Sequence, residues 1–186
     1  MALRSSVSDP LRIDSVRAGQ SGGRVGMTFC PGKQQQFSMT GGWKRDLTLD
    51  LYSMRDWGAQ VLFCLLEPHE FQSVCVSPGE LSRLARGLGI ESINTPIPDG
   101  SVPDDSFFAE WQRTSLRLKG IVDKGGSVVF CCLGGLGRTG TMAACLLIEL
   151  GFSPAVAVAE VRVARAGAIE NKTQENYVFN YRPVSR

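Results

Sequence analysis

One heptapeptide constrains this chain more than any other stretch: Cys132-Leu133-Gly134-Gly135-Leu136-Gly137-Arg138, running into Thr139-Gly140. Before it stands Ser127-Val128-Val129-Phe130, a short apolar, β-branched run that predicts a buried strand. After it, Thr141 to Leu150 is rich in Ala, Leu and Met and stops at Gly151, which predicts a helix. Strand, glycine-rich loop and helix therefore follow one another directly. The glycines let the backbone curl with its N–H groups turned inward, and the helix N-terminus adds a partial positive charge. Leu133, Gly134, Gly135, Leu136 and Gly137 are thus expected to form an anion cradle. Arg138 closes it with a planar fork suited to two phosphate oxygens. Cys132 lies at the base, where the helix dipole and Arg138 are expected to favour a thiolate. Thr139 places a hydroxyl beside the sulfur, where it would stabilise a departing thiolate. A nucleophile under a dianion cradle implies phosphoryl transfer through a cysteinyl-phosphate.

The rest of the chain alternates strands and helices. Helices are expected over Arg45 to Trp57, from an N-cap at Ser77 to about Arg86, over Asp104 to Asp123, from Ser153-Pro154 to near Gly167, and from a Thr173 cap through Tyr181. Strands are expected at Met27 to Lys33, Gln60 to Leu66 and Ile90 to Ile97. Glu67 to Glu70 and Gln34 to Gly42 read as loops, Lys33 as a surface charge and His69 as a solvated loop histidine. This alternation predicts an α/β fold, a mostly parallel central sheet with helices on both faces. Residues 1–26 carry Gly, Ser and Arg with little periodicity, so they read as an extended or partly disordered lead-in to one domain over 27–186.

Cleaving a phosphate monoester also needs a proton for the departing oxygen. Asp99, Asp104 and Asp105 lie in the stretch Pro96-Ile97-Pro98-Asp99-Gly100-Ser101-Val102-Pro103-Asp104-Asp105, which reads as a loop. The residues alone leave all three open as the acid: Asp99 also reads as a turn residue before Gly100, and Asp104 as a helix N-cap.

Cys132, Arg138 and Thr139 at this spacing resemble the Cys-x5-Arg-Ser/Thr signature of the cysteine-dependent protein tyrosine and dual-specificity phosphatases. Only this frame works, since six residues beyond Cys131 stands Gly137. Gly134 to Arg138, Ala143 to Leu147, Cys30-Pro31-Gly32 and Pro96 to Gly100 are similar to the kinase-associated branch of that family. The resemblance implies a protein tyrosine phosphatase-like fold and a phosphoprotein phosphatase acting on phosphotyrosine, with phosphoserine and phosphothreonine open. It places Asp99 at the general acid and Gln174 at a position that orders water or substrate. Cys131 and Cys64 are the candidates to trap oxidised Cys132 as a disulfide; Cys64 ends a strand expected beside the active-site strand and matches a cysteine of the family, so it is favoured. Members usually carry histidine just before the nucleophile, where this chain has Cys131. Two alternatives stand beside this reading: a phosphate-binding module with little turnover, and a rhodanese-like sulfurtransferase.

The 186 residues suffice for one sizeable core. A net charge of +2 is too small to imply nucleic acid, and no apolar run is long enough for a membrane span. The six cysteines sit mostly in apolar runs and lack zinc-ligand spacing. Neither metal nor cofactor is expected, and free thiols suit a reducing cytoplasm. The expected partner is a phosphorylated protein or peptide, met by a monomer.

Overall fold

In a computed structural model, residues 3–36 and 41–184 are described. Of the expected loop from Gln34 to Gly42, residues 37–40 lie outside them. Five strands form the central sheet: β1 (Asp14–Ala18), β2 (Gly23–Phe29), β5 (Val61–Cys64), β6 (Glu91–Asn94) and β7 (Ser127–Cys132). Their order is β1-β2-β7-β5-β6, with β1 antiparallel to β2 and every other pair parallel. A small ribbon, β3 (Gln34–Gln35) and β4 (Trp43–Lys44), lies apart from it. β7 is the middle strand and all six of its residues are buried. A strand covered on both faces must be apolar throughout, which is why Ser127 to Phe130 shows no alternation.

The pleat divides the interior into two cores. Val128, Phe130 and Cys132 face one core with α4 (Asp105–Asp123), α5 (Gly137–Glu149), α6 (Pro154–Ala164) and α7 (Lys172–Asn180). Val129 and Cys131 face the other, with α1 (Leu47–Trp57), α2 (Pro68–Ser73) and α3 (Pro78–Gly87). Helices therefore cover both faces of a mostly parallel sheet, as the alternation predicts. The first core centres on Phe63, Phe107, Trp111 and Phe130, whose ring centroids lie 5.5–6.3 Å apart. Burying each such ring contributes about 1.5–3 kcal/mol. α5 is buried along its whole length, and Gly140 lets it approach Ala168, where a Cβ would come within 2.8 Å of the Ala168 methyl.

Three expectations are corrected. The boundary after residue 26 falls inside β2, and the 1–26 stretch supplies β1 and most of β2 rather than a loose lead-in. Glycines obscured this strand. Gly26 has no room for a side chain, since a Cβ there would lie 2.9–3.1 Å from Ile13, Trp57 and Val129. Glu67 to Glu70 is not a loop. Glu67 caps α2, and a capping box joins it to Glu70. The last helix is capped by Asn171, whose side chain accepts from the Gln174 N–H, and Thr173 lies inside it.

Candidate active site

The loop Cys132–Arg138 leaves the carboxyl end of β7, where open α/β sheets bind ligands. Its curl depends on Gly135, at φ +73°. A Cβ there would lie 2.4–2.5 Å from the backbone of Thr28 and Phe29 on β2. Gly135→Ala is therefore expected to cost about 2–5 kcal/mol, from a left-handed alanine and a backbone clash together. Urea denaturation checks it, and an unchanged midpoint would contradict the fit. The Gly135 N–H donates to Cys132 Sγ at 3.2 Å. On the outer side of the loop, Arg165 Nε donates to the Gly135 carbonyl at 2.5 Å and Nη2 to the Gly134 carbonyl at 3.4 Å. A trans peptide points its C=O and N–H in opposite directions. Carbonyls drawn outward thus leave the Gly135 and Leu136 N–H groups facing inward. Arg165, itself paired to Asp14 at 2.7 Å, belongs to the loop's support.

Arg138 is 2% exposed and its fork is almost fully engaged. Nη1 and Nη2 each donate to one oxygen of Glu70, both at 2.6 Å. Nη1 also meets the Ile97 carbonyl at 3.0 Å and the Leu65 carbonyl at 3.4 Å. Nη2 has Asp99 Oδ1 at 2.8 Å. Nε is buried with no hydrogen-bond partner among the described residues. An oxyanion entering the loop would accordingly take Nε and compete with Asp99 for Nη2. Burial opposes the guanidinium charge. Glu70, with Cys132 and Asp99, outweighs burial and holds Arg138 above its ordinary range. Burial likewise pushes Glu70 up, but its bonds to Arg138 win and hold it below the usual carboxylate range. Glu70 was hidden in the sequence. Only the Glu67 to Glu70 spacing of a capping box hinted at a helix that could aim it.

The remaining expected site residues fall into distinct places. Thr139 Oγ1 is buried and has no hydrogen-bond partner among the described residues. Gly137 is diverted: its N–H donates to Glu170 Oε2 at 2.8 Å rather than standing open in the cradle. Asp104 accepts from the Phe107 N–H at 2.8 Å and from the Ser106 hydroxyl at 2.7 Å, capping α4. Those bonds, the Phe107 N–H first, hold its carboxyl below the usual range. Gln174 is fully buried between backbone groups, accepting from the Glu170 N–H at 3.0 Å and donating to the Ser101 carbonyl at 3.3 Å. It straps α7 to the Asp99 loop, and the Asn171 amide does the same at the Gly100 carbonyl, 2.9 Å away. His69 is exposed on α2.

Cys64 is corrected as a partner of Cys132. Register places it opposite Cys131, and the two sulfurs lie 3.4 Å apart in the α1–α3 core, whereas Cys132 faces the α4–α7 core. Lys33 is corrected too. It is 4% exposed, and it lines a cleft of about 730 Å³ beside the loop, with Phe29, Trp43, Gly134 and Leu136.

Comparison with known proteins agrees with this geometry. Residues 50–152 match the family model described as "Tc-R-P: Polymorphic toxin system, DSP-PTPase phosphatase". Protein tyrosine phosphatase type IVA 3 of Mus musculus is 36% identical over 98 residues, covering 53% of this chain and 56% of that protein. Cyclin-dependent kinase inhibitor 3 of Sus scrofa is 31% identical over 142 residues, covering 75% of this chain and 65% of that protein. The chain thus spans somewhat over half the length of these curated relatives. Kinase associated phosphatase, crystallised with serine replacing its catalytic site cysteine, superposes with a TM-score of 0.75 at 26% identity, covering 91% of this chain and 92% of that one. With the family model covering more than half of its length, this chain belongs to the DSP-PTPase phosphatases, the cysteine-dependent dual-specificity and protein tyrosine phosphatase family.

Proposed function

We propose that the chain is a phosphoprotein phosphatase that hydrolyses phosphate monoesters through a cysteinyl-phosphate on Cys132. The observation that carries this reading is the Cys132 sulfur beneath an N–H cradle whose arginine has an unpartnered buried Nε and a displaceable Nη2 partner. A phosphoryl group seated there has donors fixed before it arrives, the arrangement that stabilises developing charge. Cys132 Sγ attacks phosphorus, the ester oxygen leaves with a proton, and water then cleaves the thiophosphate with the same carboxyl acting as base.

Asp99 is the proposed acid and base. Its side chain is 72% exposed, so it is free to turn from Arg138 towards a leaving group once phosphate takes Nη2. Asp104 is the poorer choice, because its cap bonds favour the ionised form and tie it to α4. Thr139 is proposed to hydrogen-bond the thiolate as it departs, and Leu133 to Leu136 to supply N–H donors. The proposed substrate is a phosphorylated protein or peptide, phosphotyrosine first. A monomer in a reducing cytoplasm is the proposed setting, supported by six free cysteines, five of them buried. No helix among the described residues is long and apolar enough to cross a membrane.

Hydrolysis of p-nitrophenyl phosphate tests the reading, with thiosulfate as the control for sulfur transfer. Release of nitrophenol without thiosulfate consumption is expected, and the reverse would make the chain a sulfurtransferase. Asp99→Asn should lower kcat about 10²-fold for alkyl phosphates, whose leaving oxygen needs the proton, and only a few-fold for nitrophenyl phosphate. If Asp104→Asn shows that leaving-group dependence instead, the acid is Asp104.

A further inference from the structure

Lys33 is a buried cation with no carboxylate in ion-pair reach among the described residues. Asp50, the buried carboxylate of that region, is taken by Arg45 Nε and Nη2 at 2.8 and 2.7 Å and by the Gly32 N–H at 2.8 Å. The Lys33 ammonium instead lies 5.4 and 5.3 Å from the ring centres of Phe29 and Trp43, and 3.5 Å from the Leu133 carbonyl. Burial pushes it below its ordinary range; Cys30 and Cys132 oppose that, and Arg45 adds to it. An unpaired charge in such a place is costly unless an anion offsets it. Cys30, which acts on it, does not provide one, because burial first of all pushes that thiol up and keeps it neutral. What remains on that side is the anion that the cradle binds.

We propose that Lys33 is a positioning residue of the cradle. Its ammonium holds the Leu133 carbonyl outward so that the Gly134 N–H faces the anion side, and it supplies beside Cys132 a positive charge that the thiol at 131 cannot. With Arg165 on the next two carbonyls, three consecutive loop peptides are then set by two cations reaching in from different elements, the β2–β3 turn and the end of α6. The inference rests on the proposed phosphatase reading only for the identity of the bound anion.

The titratable groups within electrostatic reach of Cys132 are Lys33, Arg138, Cys30 and, on the opposite face of the strand, Cys131, with Glu70 and Asp99 acting through Arg138. Those facing Lys33 are Cys30, Cys132 and Arg45. The test alkylates Cys132 with iodoacetamide and follows its peptide by mass spectrometry. Lys33→Met keeps the length and the contact with the rings but removes the charge; Lys33→Arg keeps the charge. In Lys33→Met the rate at pH 6 should fall about tenfold and converge on wild type near pH 10, because only the thiolate reacts. Inorganic phosphate should also protect Cys132 less well. Lys33→Arg should retain most of the wild-type rate at pH 6. An unchanged rate at pH 6, or an equal fall at both pH values, would overturn the proposal. So would Lys33→Arg falling as far as Lys33→Met, or, if the Met variant does not fold, Lys33→Arg losing the pH 6 reactivity while folded. Alkylation needs no turnover. A protein inert towards every phosphate ester but showing this pattern would refute the phosphatase reading and leave the role of Lys33 standing.

Discussion

Cys132→Ser should abolish turnover, by about four orders of magnitude or more, while binding of inorganic phosphate stays within a few-fold of wild type. The two outcomes separate because the two tasks sit on different atoms. Attack on phosphorus uses Sγ, and a serine hydroxyl in its place has no base among the partners that the sulfur shows. Holding the anion uses loop N–H groups and Arg138, which the substitution does not touch. Phosphate-dependent elevation of the melting temperature reads the binding, and p-nitrophenyl phosphate reads the turnover. Cys131→Ser is the companion. Its side chain faces the α1–α3 core against Cys64, so it should lose some stability but keep substantial activity. Activity surviving in Cys132→Ser and lost in a folded Cys131→Ser would move the nucleophile to Cys131 and undo the frame.

What the sequence disclosed and what it concealed divide along a physical line. The strand, loop and helix around Cys132 were legible because local signals coincide there: β-branched residues, then glycines, then an Ala- and Leu-rich run. The Asp104 cap and α4 were legible for the same reason. The first half of β2 was not, since Gly23, Arg24 and Gly26 break the pattern. Their reason lies in neighbours far along the chain, Trp57 beside Gly26 and the Trp57 carbonyl and Ser127 as acceptors for Arg24. Glu70 and Lys33 were concealed more deeply. Nothing local distinguishes a charged side chain in solvent from one aimed inward at a partner 68 or 100 residues away. The redox partner failed on parity. Cys64 was rightly expected beside the active-site strand, but pairing opposite residue 131 turns its side chain away from the face that Cys132 shares.

Glu70 therefore carries the other large expectation. Arg138 is buried, and Glu70 meets it with both oxygens while one of them also accepts the Glu67 N–H at 2.9 Å. Glu70→Gln keeps the shape but puts an amide N–H₂ against donors that already point inward, and leaves the guanidinium without its buried counter-charge. Removing one partner of such a pair costs about 3–5 kcal/mol. The effect should depend on pH in a definite direction. Because the folded-state carboxyl lies below its ordinary value of 4.5, the pair's contribution is complete above about pH 4.5. It is lost as pH falls through the folded value, where wild-type Glu70 takes up a proton. Urea denaturation should thus show wild type well ahead of Glu70→Gln at pH 7, with the gap narrowing as pH falls below 4.5. Catalysis should suffer as well. With Glu70 no longer bidentate, the guanidinium plane can tilt, and Nε and Nη2 lose the orientation that presents them to an oxyanion. A fall of about 10²-fold in kcat is expected, since a misplacement near 1 Å has that effect. Glu70→Asp, a methylene shorter, should restore the charge and much of the stability but less of the rate. If Glu70→Gln matches wild type in stability at pH 7 and in kcat, the Ile97 and Leu65 carbonyls and Asp99 suffice to orient the arginine, and the Glu70 carboxylate is dispensable to the site.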